Sequence, residues 1–277
     1  ASIDIMSREK RLKIAAFSDI HGSLKALNMA IKLIDQLEDI DIILFAGDFA
    51  SLSYEYDADQ ISSELQTVRS MLELLNELDV PLFFVWGNRD AFLFFDARSA
   101  FGTTASPDEL LIGLGNLKCV NGRVERIRAK GLRIKISGTR ESVDAKTILL
   151  EHYDGKKPVS NCLLHLCGHD HYGQWKDNFV DLGFLYRDDL HGAKSLFGMV
   201  WLFDIVYRGR SFTIKVEHHK LVAHDTKELM CPKHLGEGLF VVPHYWRHCP
   251  VCYDPSNARF SQRKKKGSGM RRRKCKS

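Results

Sequence analysis

The sequence lacks any uninterrupted apolar run of the roughly 20 residues that a membrane-spanning helix requires. The longest candidate, residues 184–206, is broken by charged and polar side chains: Arg187, Asp188, Asp189, His191 and Lys194. The first ten residues have no apolar core of the kind that a secretory signal contains. We therefore expect neither a membrane partner nor secretion.

The seven cysteines do not form the even set of a disulfide-rich secreted domain. Three lie in apolar runs and are predicted to be buried thiols: Cys119, Cys162 and Cys167. Three more cluster late in the sequence at a spacing typical of metal sites, and Cys275 lies in a basic tail. This usage favours the reducing cytoplasm.

Acidic residues are absent from residues 256–277, a segment that holds ten of the 40 Lys and Arg residues. The rest of the chain has 30 basic and 35 acidic residues, so a mildly acidic body carries a strongly basic tail. The 277 residues have room for one large domain and a small appendage. We predict a main domain at residues 11–222, a zinc module at 228–255 and a disordered tail at 256–277.

Buried strands and amphipathic helices alternate in the first half of the sequence. Short apolar runs predict strands at residues 12–17, 40–46 and 81–86. Helical spacing of apolar residues predicts helices at 23–37 and 59–78. This alternation is typical of βαβ units and a mainly parallel sheet.

The second half contains several strand patterns with few helices between them. The predicted strands are residues 117–120, 124–127, 132–137, 147–151, 162–167, 199–206 and 212–217. We expect them to build another sheet, with antiparallel pairing as the first hypothesis, which packs against the first sheet.

Seven possible metal ligands directly follow predicted strands: Asp19, His21, Asp48, Asn88, His152, His169 and His171. Ligands of open α/β sheets bind beyond the carboxyl ends of the strands. Any one of these residues alone fits an ordinary turn, but together they are too many for one tetrahedral ion and suit two ions that share a carboxylate. The mixed ligands favour Mn²⁺, with Fe, Zn²⁺ or Ni²⁺ as alternatives, over Mg²⁺ or Ca²⁺.

The ordered motifs D-x-H, G-D, G-N-x-D, H and G-H-x-H resemble the signature of calcineurin-like metallophosphoesterases, over residues 13–217. The resemblance implies an α/β fold, an αββα two-sheet sandwich with metals at one edge, and hydrolysis of phosphoric esters. It also implies ligand roles, with Asp48 as the bridge. The first ion takes Asp19, His21 and His171. The second takes Asn88, His152 and His169.

Arg89 departs from this family pattern, because many members have a histidine there that acts as the general acid. Arginine cannot, since its pKa lies above about 12, but it can donate hydrogen bonds to phosphate oxygens. Asp90 is expected to be an outer partner of Arg89 or of a ligating imidazole. The resemblance thus implies a phosphodiesterase with in-line attack on phosphorus and four catalytic residues: Asp48, Asn88, Arg89 and Asp90.

A C-x2-H pair followed by a C-x2-C pair predicts a tetrahedral structural zinc site; its ligands are Cys231, His234, Cys249 and Cys252. His244 and His248 are alternative ligands, and a chance cluster of free thiols is the alternative to zinc. Such a short segment has little core, so zinc would supply its folding energy.

Aromatic and basic residues surround this site. Tyr245 and Trp246, with Phe240 nearby, either stack on single-stranded nucleic acid or form the core of the zinc module. The basic runs 263–266 and 271–274 fit either a phosphate-binding arm or a solubilising or targeting tail. Together these features favour RNA or single-stranded DNA as the partner.

Three functions compete. The first is a nuclease, and the second is a phosphodiesterase or phosphatase for a small molecule, which does not need the basic tail. The third is a binding scaffold, as in a retromer subunit that resembles this superfamily. A scaffold does not need all seven ligands, so we favour the nuclease.

Overall fold

The structure is a computed structural model that describes residues 9–51, 56–102, 106–153, 157–185, 189–190, 193–194, 198–208 and 211–221. The predicted zinc module and basic tail lie outside the described residues, so these predictions stay predictions. No helix within the described ranges is long and apolar enough to cross a membrane.

Strands and α-helices alternate first and strands then dominate. The strands are β1 (Lys10–Phe17), β2 (Ile42–Phe45), β3 (Leu82–Phe84), β4 (Leu117–Cys119), β5 (Val124–Ala129), β6 (Leu132–Ser137), β7 (Thr147–Glu151), β8 (Leu164–Cys167), β9 (Gln174–Lys176), β10 (Phe179–Asp181), β11 (Asp189–Leu190), β12 (Ala193–Lys194), β13 (Gly198–Arg208) and β14 (Ser211–Leu221). The α-helices are α1 (Leu24–Gln36), α2 (Ala58–Asn76) and α3 (Asn88–Phe101), and a 3₁₀ turn spans Glu109–Leu111.

The strands form two six-stranded sheets and one small hairpin, β11–β12. The first sheet has the order β14-β13-β1-β2-β3-β4, in which β1 to β4 are parallel and β13 is antiparallel to β1. The second sheet has the order β5-β6-β7-β8-β10-β9.

Two apolar layers hold the sheets and helices together. Ile14, Leu44, Ile148 and Trp201 belong to a fully buried cluster drawn from both sheets. Residues of β1 to β3 form a second cluster with the inner faces of the helices, among them Leu27 of α1 and Leu72 of α2. Burial of each large apolar side chain contributes about 1.5–3 kcal/mol. The two-sheet α/β sandwich is confirmed.

The helix starts follow from their capping residues. The Ser23 hydroxyl accepts a hydrogen bond from the Ala26 amide at the start of α1. Asp57 and Gln60 form a reciprocal capping box at the start of α2. Each cap satisfies N–H groups that have no partner within the helix.

Antiparallel pairing of the second sheet was the wrong prediction. The strands β6, β7, β8 and β10 run parallel, and only the edge pairs β5–β6 and β9–β10 are antiparallel. Parallel strands are usually joined by helical crossovers. Here the described connections, residues 138–146 and the described parts of 152–163, contain no α-helix, so the usual signal is missing.

Three strands predicted for the second sheet belong to the first: β4, β13 and β14. The helix α3 was not predicted at all. It buries Leu93 and Ala97 but leaves Phe92 and Phe95 exposed, so apolar residues lie around the helix and no one-sided stripe marks it. Among the described thiols, Cys162 and Cys167 are buried as predicted, while Cys119 is half-buried.

Candidate metal centre

The carboxyl ends of parallel strands from both sheets meet at one edge of the sandwich. Asp19 and Asp48 follow β1 and β2, and His152 and His169 follow β7 and β8. The His169 amide donates a hydrogen bond to Asp19 Oδ2 at 3.1 Å, which joins the two sheets at this point. The predicted ligands therefore converge although 152 positions of sequence separate Asp19 from His171.

The backbone at these strand ends is unusual. Five predicted ligands have positive φ without being glycine: Asp19 (57°), His21 (49°), Asp48 (65°), His169 (71°) and His171 (60°). Such left-handed conformations cost of order 1–3 kcal/mol each and cluster at functional sites. The fold thus keeps strain at the turns that aim these side chains.

The first group of ligands is Asp19, His21 and His171. His171 Nε2 lies 2.8 Å from Asp19 Oδ1, and His21 Nε2 lies 3.3 Å from the same oxygen. The two imidazole Nε2 atoms are 3.1 Å apart. The other carboxylate oxygen, Asp19 Oδ2, accepts a short hydrogen bond from the Ser18 hydroxyl. Asp19 Oδ1 is therefore the oxygen directed toward a cation.

The second group is Asn88, His152 and His169. Asn88 Oδ1 lies 2.8 Å from His152 Nε2 and 2.8 Å from His169 Nδ1. Asn88 is the first residue of α3, so the position that anchors the amide is also the start of a helix. The positive end of the helix dipole therefore faces the site, where it favours an anionic group.

Asp48 lies between the two groups. Its Oδ2 atom is 3.3 Å from His152 Nε2 and 4.0 Å from His21 Nε2. Its Oδ1 atom accepts a hydrogen bond of 2.8 Å from the Arg89 amide. A Cβ atom on Gly87 would lie 2.0 Å from Asp48 Oδ1, so this approach requires glycine. The position of Asp48 is the one expected of a bridging carboxylate.

The chemistry of the donor atoms fits cations. His152 Nδ1 lies 2.7 Å from the Ala46 carbonyl and His21 Nδ1 lies 3.2 Å from the Ala50 carbonyl. A carbonyl only accepts, so each Nδ1 carries a proton, and each neutral ring then turns a lone pair on Nε2 toward carboxylate oxygens. Lone pairs that face one another at these distances repel unless positive charge lies between them.

The pKa values show the same demand for positive charge. Burial opposes ionisation of Asp19, but His171 and His21 outweigh it and hold the pKa of this carboxyl well below its ordinary value. Burial also lowers the pKa of His152, but hydrogen bonding and attraction to Asp48 outweigh burial and raise that pKa to about 9. Two metal-ligand clusters follow, Asp19–His21–His171 and Asp19–Asp48–His152.

Asp90 organises the loops that carry the ligands. Its carboxylate is fully buried and accepts hydrogen bonds from the amides of Asp48 (3.0 Å), Gly87 (2.8 Å) and Ala50 (2.8 Å). Burial and repulsion by Asp48 raise the pKa of Asp90 to about 6. These backbone partners were not anticipated from the sequence, which pointed to Arg89 or an imidazole.

Arg89 follows Asn88 in the first turn of α3 and is half-buried. Sequence reasoning missed two neighbours of the site. Glu151 lies at the end of β7, where its carboxylate pairs with Arg140 and with His165 Nε2 at 3.0 Å. Tyr153 packs against the His169 ring. Both directly flank His152, and that adjacency was the available signal.

A family model for calcineurin-like phosphoesterases matches residues 12–173, more than half of the chain. The chain belongs to the calcineurin-like phosphoesterase family. This phosphoesterase is therefore a metal-dependent hydrolase of phosphoric esters, in a family that binds two divalent metals.

Among solved structures, Vacuolar Protein Sorting 29 from Cryptosporidium parvum is 13% identical, over 76% of this chain and 99% of that chain, with a TM-score of 0.35. Another crystal structure is 12% identical, over 74% of this chain and 98% of that chain, with a TM-score of 0.38. Comparison with curated proteins finds no match.

Proposed function

We propose that this phosphoesterase is a two-metal-dependent phosphodiesterase that cleaves RNA or DNA. The observation that carries the two-metal site is the position of Asp48 Oδ2, 3.3 Å from one imidazole and 4.0 Å from another that belongs to a separate ligand group. The first ion would be held by Asp19, His21 and His171. The second would be held by Asn88, His152 and His169.

Two divalent ions, when bound, supply Lewis acidity at the phosphoryl oxygens. We propose Mn²⁺, with Fe, Zn²⁺ or Ni²⁺ as alternatives, because the ligands mix carboxylate, amide and imidazole groups. The residues of the chain then have separate tasks. Asp48 and Asn88 fix the ligand geometry, and Asp90 holds the Asp48 and Gly87 loops through three backbone amides.

Arg89 favours a diester over a monoester in this proposal. It stands where many relatives have an acidic histidine, and a guanidinium cannot give up its proton at neutral pH. It can stabilise charge on the phosphoryl oxygens, and the N-terminus of α3 reinforces this effect. A good leaving group needs no protonation, so the site suits activated diesters best.

The nucleic-acid substrate rests on the sequence beyond residue 255, where ten basic residues meet no acidic one. Phosphate contacts by Lys and Arg supply most of the affinity of non-specific nucleic-acid binding. A structural zinc at Cys231, His234, Cys249 and Cys252 is part of the same proposal. A small-molecule phosphodiesterase remains the second candidate, because the described body is acidic by count. Free thiols at Cys119, Cys162 and Cys167 support a cytoplasmic location.

The first experiment compares bis-p-nitrophenyl phosphate with p-nitrophenyl phosphate in the presence of Mn²⁺. We expect a higher kcat/KM for the diester, and an Arg89→His variant should gain monoesterase activity. A higher kcat/KM for the monoester in the unaltered protein would overturn the assignment.

The second experiment tests the substrate class with labelled single- and double-stranded RNA and DNA under the same conditions. The Asp48→Asn variant is the negative control, because it removes the shared ligand. Cleavage of none of the four polymers, with turnover of the chromogenic diester intact, would transfer the proposal to a small-molecule substrate.

A further inference from the structure

Tyr153 is an exposed aromatic residue at the edge of the metal centre. It directly follows His152, and 57% of its surface is exposed. Single exposed aromatic residues are common on proteins and mean little by themselves. Tyr153 differs in its position, because its neighbours belong to the site.

The Tyr153 ring is held by a ligand of the second group. Its centroid lies 4.6 Å from the His169 ring centroid, and the two planes are inclined at 72°. Edge-to-face packing of this kind is favourable and fixes ring orientation. His169 Nδ1 lies 2.8 Å from Asn88 Oδ1, so one imidazole ring separates Tyr153 from the proposed position of the second ion.

We propose that Tyr153 stacks on the nucleobase attached to the scissile phosphate and so determines specificity for nucleotide esters. This inference rests on the proposed phosphodiesterase function. A sugar separates a nucleobase from its phosphate, and the width of the His169 ring separates Tyr153 from the ligand atoms. An exposed aromatic ring anchored at its edge is suited to sequence-tolerant base stacking. The base comes either from a free nucleotide or from a polynucleotide.

The test uses esters that share one leaving group and differ in the other substituent. They are the 5′ and 3′ p-nitrophenyl esters of thymidine monophosphate and methyl p-nitrophenyl phosphate. The Tyr153→Ala variant should raise KM for at least one thymidine ester roughly 5- to 100-fold, the range that one base stack represents. KM for the methyl ester and kcat for both should stay within about twofold.

Two further variants separate stacking from other effects. Tyr153→Phe keeps the ring and should retain the KM of the unaltered protein, whereas loss in both variants would assign the effect to the hydroxyl and overturn stacking. Phe95→Ala is the matched control, because Phe95 is 71% exposed but lies seven residues along α3 from Asn88, roughly 10 Å at 1.5 Å per residue. It should change none of the KM values.

Binding without turnover makes the test independent of catalysis. Calorimetry with Mn²⁺-loaded protein compares thymidine monophosphate with inorganic phosphate. Tyr153→Ala should weaken only the nucleotide, by the same factor as KM. Equal weakening of both, or of neither, overturns the inference, whereas absent turnover with this binding difference intact overturns only the phosphodiesterase proposal. A lower KM of the unaltered protein for a single-stranded oligonucleotide than for the thymidine esters identifies the polymer as the source of the base.

Discussion

Replacing Gly87 by alanine should disable the metal centre while leaving most of the sandwich intact. The φ angle of Gly87 is −94°, which alanine adopts without strain, so the effect is purely steric. The added Cβ would lie 2.0 Å from Asp48 Oδ1 and 2.5 Å from the Asp48 amide nitrogen. Real Cβ contacts essentially never fall below 3.0 Å, so the Asp48 loop must move by roughly 1 Å.

The size of the effect follows from this displacement. Overpacking of a buried site costs about 1–3 kcal/mol of folding stability. A misplacement of about 1 Å costs on the order of 100-fold in rate, because catalysis depends on aligned groups. Asp48 is the shared ligand in the proposal, so Mn²⁺ affinity should fall as well.

The assay combines urea unfolding, Mn²⁺ titration and diester hydrolysis on Gly87→Ala and on Gly115→Ala. Gly115 is the matched control, since a Cβ there meets no atom within 4 Å. We expect Gly115→Ala to keep Mn²⁺ affinity and turnover within about twofold of the unaltered protein. If Gly87→Ala bound two Mn²⁺ ions with unaltered affinity and turned over normally, the reasoning about the Asp48 approach would be refuted.

Three more predictions concern other parts of the chain. Burial opposes ionisation of Glu151, but His165 and Arg140 outweigh it and lower the pKa of Glu151 to about 2 from an ordinary 4.5. This carboxylate therefore stabilises the fold above pH 4.5 and loses its effect as the pH falls toward 2; Glu151→Gln should lower the free energy of unfolding at pH 7 by about 1–3 kcal/mol and flatten the acid dependence, and an unchanged urea midpoint at pH 7 would contradict this. The Cys249→Ser/Cys252→Ser variant should lose about one zinc per chain by elemental analysis, the content of one four-ligand site, and unchanged zinc content would refute the module. Deletion of residues 259–277 should weaken oligonucleotide binding and flatten its salt dependence, by about 0.7 in the slope of log K against log salt for each lost phosphate contact on a single strand, while chromogenic turnover stays unchanged; identical gel-shift titrations of both forms would exclude the tail as the binding arm.

The seven predicted ligands were accessible from the sequence because each directly follows a strand in a short motif. A strand end fixes which edge of a sheet a residue reaches, so Asp19 and Asp48 could be placed together without knowing the rest of the fold. His152 was harder to place, because a long and irregular stretch separates it from the earlier motifs. The parallel pairing of β7 with β8 brings it beside His169.

Other features depended on contacts that a sequence pattern does not contain. The membership of β13 in the first sheet is set by its pairing with β1, about 190 positions earlier in the chain. The three amide partners of Asp90 depend on how two loops approach each other across Gly87. Exposure of Phe92 and Phe95 hid the helix that positions Asn88, because apolar residues on an outer face disguise the helical period.

The most direct test of the two-metal proposal is a crystal structure of the Mn²⁺-soaked protein with anomalous diffraction recorded for manganese. The account predicts two anomalous peaks roughly 3.5–4 Å apart, one on each side of the Asp48 carboxylate. One should lie against His21 and His171, and the other against Asn88, His152 and His169. A map with no peak near Asp48, or with a single peak shared by all these ligands, would contradict it.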